Sequence, residues 1–165
     1  MESTKRVPVS IRVARISLFT ALAVAGSFVS LPSPVSSVAL DSAAGYFCSM
    51  NYGGYEGALV FFLGHLSTAT VHGFPLGVLH LPIAAGLALD GYVMSVVAKF
   101  TKLGATIVGV LINTLLVFVA LPVLGWGGSL TLIPYLAVAS SVNAALAYIA
   151  TKALEKRGVI KKRNG

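Results

Sequence analysis

Seven polar side chains interrupt the apolar runs of this 165-residue chain: His65, His72, His80, Asp41, Asp90, Asn113 and Asn143. Imidazoles can give or take a proton, carboxylates accept hydrogen bonds or balance cations, and carboxamides do both kinds of hydrogen bonding. Placed among apolar residues such groups are costly, and where the surroundings are lipid they usually face the interior of a helix bundle. At 1.5 Å per residue, Asp90 falls about 18 Å into its helix, while Asn113 lies about 15 Å from the far end of the next. With Asn143 they form one layer near mid-depth, either an interhelical hydrogen-bond cluster or part of a binding site. A second group sits higher. Asp41, His65 and His80 lie towards one end of their helices, and His72, Phe74 and Trp126 fall on turns at that same end. Together they can line a cavity with donors, acceptors and rings, a mix suited to a small molecule. For His72 and Trp126 the alternative is anchoring at a membrane interface. The histidines stand on separate segments without close ligand spacing, so no metal site is expected.

The elements that carry these residues follow from composition. The mean hydropathy is +0.88, and only 10% of residues are charged, too few to cover a soluble domain. Stretches 11–31, 55–71, 78–98, 103–124 and 130–154 are each apolar enough to span a bilayer, which takes roughly 20 residues. The first is longer than the core of a secretory signal and reads as a retained span. Pro32, Pro34, Gly73, Pro75, Gly125, Gly127 and Gly128 punctuate them. Segment 35–52 is weaker, interrupted by Ser36, Ser37, Asp41, Ser42, Ser49 and Asn51.

The cations decide whether 35–52 crosses. All 12 Lys and Arg fall in three clusters: Lys5 to Arg15, Lys99 with Lys102, and Lys152 to Arg163. Counting 35–52 as a span puts every cation on the cytoplasmic side, as membrane proteins prefer. The prediction is an all-α integral membrane protein, a compact bundle of six transmembrane helices with both termini cytoplasmic. Residues 1–10 form a basic N-terminus, 11–154 the substrate-binding bundle and 155–165 a basic tail at the anionic inner leaflet. The net charge of +7 sits at membrane borders rather than along a groove, which argues against nucleic acid.

Three smaller readings complete the pass. Cys48, the single cysteine, reads as a buried filler. Glu56 opens a helix and suits its dipole. Ser17, Ala21 and Ala25 recur every four residues on the first helix, a small-residue face where another helix can approach closely. No GxxxxGK[ST], HExxH or GxSxG motif occurs, so nucleotide hydrolysis by a phosphate loop is excluded.

Stretch 38–82 resembles the substrate-binding S components of energy-coupling factor vitamin transporters, and is most similar to those for α-ribazole, a cobalamin precursor. The matching pieces are ALDS at 39–42, GH at 64–65, GFPLG at 73–77, His80, and SVNAALAY at 141–148. The resemblance implies a non-enzymatic subunit of a prokaryotic plasma membrane. It would bind a vitamin or precursor from outside and dock on a transmembrane coupling subunit with two cytosolic ATPases, which use the ATP. No cofactor is implied for this chain. Ala21 and Ala25, with Ser17, match the docking face of that family. Stacking surface for a benzimidazole would come from Trp126, Tyr135, Phe74 and the histidines. Asp41, Asn113 and Asn143 would meet ribose hydroxyls. Asp90 departs from the pattern and can select a cation or bind a proton. Three rivals remain: a stand-alone proton-coupled carrier using Asp90, a membrane enzyme using Asp90 with a histidine, and a structural adaptor.

Overall fold

The computed structural model describes residues 7–36 and 38–160. Ser37, and the expected cationic ends with Lys5, Arg6, Lys161, Lys162 and Arg163, lie outside the described residues. The fold is all-helical. Its helices are α1 (Val9–Ser27), α2 (Ala43–Asn51), α3 (Gly54–Val71), α4 (His80–Val97), α5 (Lys102–Leu115) and α6 (Leu121–Lys156). Short 3-10 turns, Gly77–Leu79 and Leu116–Ala120, lead into α4 and α6. Among the described residues there is no strand, only an isolated antiparallel bridge between Ser30 and Ala39.

Among the described residues, three stretches are long and apolar enough to cross a membrane: Val9–Ser27, Gly77–Val97 and Lys102–Lys156. The last folds back on itself. Lys102 meets Glu155 at one end, and the Phe118 and Trp126 rings lie 6.2 Å apart at the other. The reversal expected over 125–129 is concentrated at Gly125, whose φ of 64° and ψ of −179° break the helix. That backbone conformation costs a glycine little and other residues much, so Gly127 and Gly128 are left free to continue as helix.

Segment 35–52 is helical only over Ala43–Asn51, about 14 Å against a hydrocarbon core of about 30 Å. Prolines and serines upstream favour a turn instead. Leu31 N–H donates to Val38 O at 2.9 Å and Leu40 N–H to Val29 O at 3.1 Å, pairing residues 29–31 with 38–40. The first helix likewise ends at Ser27 rather than Leu31.

The core is built where α2, α3 and α4 meet. Tyr46, Phe47, Met50, Phe61, Leu87 and Met94 form it, with Tyr46 edge-on to Phe61 at 5.1 Å between centroids. Gly57 allows the closest approach, since a Cβ there would collide with Ser49. Phe19 of α1 stacks on Phe47 at 5.3 Å. Cys48 is a buried free thiol in the smaller cluster beside α1.

Two clusters of polar groups lie at the bundle's two ends. At one, Lys102 Nζ donates to Asn51 Oδ1 (2.9 Å) and Glu155 Oε1 (2.7 Å). Asn51 Nδ2 reaches Thr151 Oγ1 at 2.8 Å, and Arg15 lies over the Tyr52 ring at 4.2 Å. Glu56 is buried at this end, 3.1 Å from Arg12 Nε though off the line of a hydrogen bond. Its partner is thus α1 as much as its own helix dipole. The opposite end holds the histidines and Asp41.

Candidate functional site

The histidine end holds a cavity of about 80 Å³ between the residues that precede α2 and helices α3, α4, α5 and α6. Asp41, His65, His80, Asn113, Ser140 and Asn143 supply its polar lining, and Val38, Leu76, Ile83, Leu87, Val117 and Leu132 are among its apolar walls. A water occupies roughly 10–15 Å³ on a comparable measure. The space as it stands therefore holds a few waters, less than the volume of a nucleoside-sized ligand.

Two imidazoles form the cavity's most directional feature. Leu76 N–H donates to His80 Nε2 at 3.3 Å. An accepting Nε2 carries no proton, so His80 is neutral with its proton on Nδ1. That Nδ1 stands 3.1 Å from His65 Nε2, which must accept. His65 then keeps its own proton on Nδ1, where no described residue accepts it. One backbone N–H in the turn before α4 thereby sets both tautomers. Phe74 lies edge-on to His80 at 5.6 Å, held by a left-handed backbone (φ 51°) after Gly73.

The other polar residues divide by how much of their bonding capacity is used. Asn143 Oδ1 accepts from Ala43 N–H at 2.9 Å, and its Nδ2 donates to Ala39 O (3.1 Å) and Ala139 O (2.9 Å). Both amide hydrogens are thus committed, and Asn143 pins the 39–43 segment to α6. Asn113 gives one N–H to Tyr46 Oη at 3.1 Å, and Tyr46 donates onward to Gly109 O at 3.3 Å. Its carbonyl oxygen remains available to the cavity. Asp41 is 8% exposed and accepts from Ser42 Oγ at 3.0 Å through one oxygen.

Asp41, His65, His80, Asn113 and Asn143 therefore share one cavity, with Phe74 against the His80 ring. Trp126 and Tyr135 do not line it. Trp126 is 68% exposed beside Phe118, and Tyr135 is 39% exposed on α6. His72 Nε2 donates to Ser27 O at 3.0 Å, tying the ends of α1 and α3. Asp90 is wholly buried below the cavity rather than in its wall. Sequence reasoning missed the apolar lid: Leu76 supplies both a wall and the N–H that orients His80, and only the GFPLG turn hinted at it.

Ser17, Ala21 and Ala25 are exposed along α1, while Ala23 is buried against α3 at Gly64. Among the described residues no three His, Cys, Asp or Glu side chains converge. No family model, curated protein or solved structure matches the chain.

Proposed function

We propose that this chain is the substrate-binding membrane subunit of an energy-coupling factor importer for a vitamin or vitamin precursor, α-ribazole being the best candidate. The observation that carries the reading is the cavity with Asp41, His65, His80 and Asn113 converging on it. It has a donor in His65 Nδ1–H, acceptors in Asp41 and Asn113, and apolar walls for an aromatic base. The all-cation clustering supports a bundle with both ends cytoplasmic, 35–52 descending from the outer face by a loop and then α2. On that topology the cavity faces outward and the Lys102–Glu155 end faces the cytosol. The exposed face of Ser17, Ala21 and Ala25 is the docking surface for the coupling subunit, whose two ATPases supply the energy.

A stand-alone proton-coupled carrier is the second reading, favoured by Asp90, a buried carboxyl without a hydrogen-bond partner. The enzyme reading is weaker, because Asp90 is absent from the cavity wall that holds the histidines. Uptake assays separate the first two. Cells supplying coupling subunit and ATPases should import labelled ligand only when all components and ATP are present. Uptake by this chain alone, driven by a proton gradient, would transfer the assignment to the carrier.

A further inference from the structure

Asp90 lies on α4 with both carboxyl oxygens buried and, among the described residues, without hydrogen-bond partners. Ile83, Leu87 and Asp90 stand at i, i+4 and i+7, one face of the helix. Ile83 and Leu87 line the cavity, so Asp90 continues that face one turn beneath its floor.

The neighbouring elements offer it no charge. From α2 come Tyr46, which packs in one core with Leu87 and Met94 of α4 but whose hydroxyl is engaged with Gly109 O and Asn113 Nδ2, and the Ser49 hydroxyl beside Gly91, which donates to Gly45 O. The α3 face beside Gly91 presents Gly57 and Phe61, and α5 presents Gly109 against Met94. The 3-10 turn Leu116–Ala120 carries only apolar residues and meets α4 through Leu116 against Gly86. Lys102 is committed to Asn51 and Glu155 at the far end of α5. An ionised carboxylate in such surroundings would be desolvated with nothing to compensate it. A carboxylic acid would not.

We propose that Asp90 is a proton-binding site beneath the cavity, holding its carboxyl neutral while the bundle is closed and releasing the proton when water reaches it. The ligand is a single proton. Too few oxygens converge there for calcium or magnesium, which take six or more, and among the described residues no three metal-ligating side chains meet. The assignment stands whatever molecule fills the cavity above, and so separates from the vitamin reading.

Infrared difference spectroscopy of the lipid-reconstituted full chain against Asp90→Asn at neutral pH tests it. The expected result is loss of a protonated-carboxyl C=O band that moves to lower frequency in D2O. Loss of an ionised-carboxylate band instead would overturn the proposal. Should Asp90→Asn fail to fold, Asp41→Asn grown with 13C-aspartate leaves Asp90 as the single labelled side-chain carboxyl. The isotope-shifted band must then belong to the acid form; a carboxylate band would again contradict the site.

Discussion

His80 Nδ1 lies 3.1 Å from His65 Nε2, and the Leu76 N–H on the far side of the His80 ring fixes the direction of that hydrogen bond. The pair is a short relay ending at a donor on His65. Replacing His65 with Ala should remove the terminal donor and weaken ligand binding by about tenfold, or about 1.4 kcal/mol. His80→Ala should do the same and also strip the Leu76 N–H of its partner, costing about 1–3 kcal/mol of stability. Ligand titration and thermal unfolding of the two variants check the difference.

Asn143 is predicted to matter for stability more than for selectivity. Asn143→Ala would leave Ala43 N–H and Ala39 O without their side-chain partners, and lowered stability by about 1–3 kcal/mol is expected. The Asp41 side of the cavity should loosen, so ligand affinity falls for all compounds alike. A change in the rank order of ligands would contradict this positioning role.

At the opposite end, Lys102 and Glu155 are 6% and 5% exposed. Removing the cation in Lys102→Met leaves the covered Glu155 carboxylate with only the exposed Lys152, 3.2 Å away, so a loss of about 1–3 kcal/mol is expected, and Lys102→Met with Glu155→Met should recover much of it. Burial alone would raise the Glu155 carboxyl, but hydrogen bonds and charge from Lys102 and Lys152 outweigh it and hold the group below its usual value. Its folded-state value is therefore depressed. The stabilisation is present above the unfolded carboxylate value and is lost as pH falls through the folded one. Unfolding measured from neutral to acid pH should show that loss in wild type, and less of it in the double variant.

Ala21→Leu and Ala25→Leu should abolish assembly with the coupling subunit and leave ligand binding unchanged. Both residues are exposed on α1, away from the cavity lining. Co-purification with the coupling module, read beside ligand titration, checks this. Loss of binding in either variant would refute the separation of the two surfaces.

Gly26→Ala should destabilise the cavity entrance, because an added Cβ collides with the Leu40 carbonyl next to Asp41. Backbone rather than a flexible side chain must move. Both lower thermal stability and weaker ligand binding are expected.

What was legible in the sequence was polarity set against long apolar runs. His65, His80, Asp41, Asn113 and Asn143 stand out as ionisable or carboxamide groups within mostly apolar runs, although their approximate depths separated the two asparagines from the other three, which the cavity brings together. The helical class follows from the same runs. Helix lengths were less legible where turn-forming residues compete with hydropathy, as at 35–52, where backbone hydrogen bonds across Ser30 and Ala39 replace a full span. Trp126 and Tyr135 show a different gap. Their rings suit either a ligand or an interface, and only the break at Gly125 and the rotation of α6 turn them away from the cavity. The Lys102–Asn51–Glu155 contact joins residues more than fifty positions apart, which no local periodicity reveals.

The central claim is that the cavity binds a small molecule, and ligand-dependent stabilisation of the purified chain alone tests it most directly. Vitamins and cobalamin precursors, α-ribazole included, would be screened by thermal shift with wild type and His65→Ala in parallel. One compound should stabilise wild type by about 2.7 kcal/mol at a hundredfold excess over Kd, with a smaller shift in the variant at the same concentration. No shift with any compound, or an equal shift in both proteins, would contradict it.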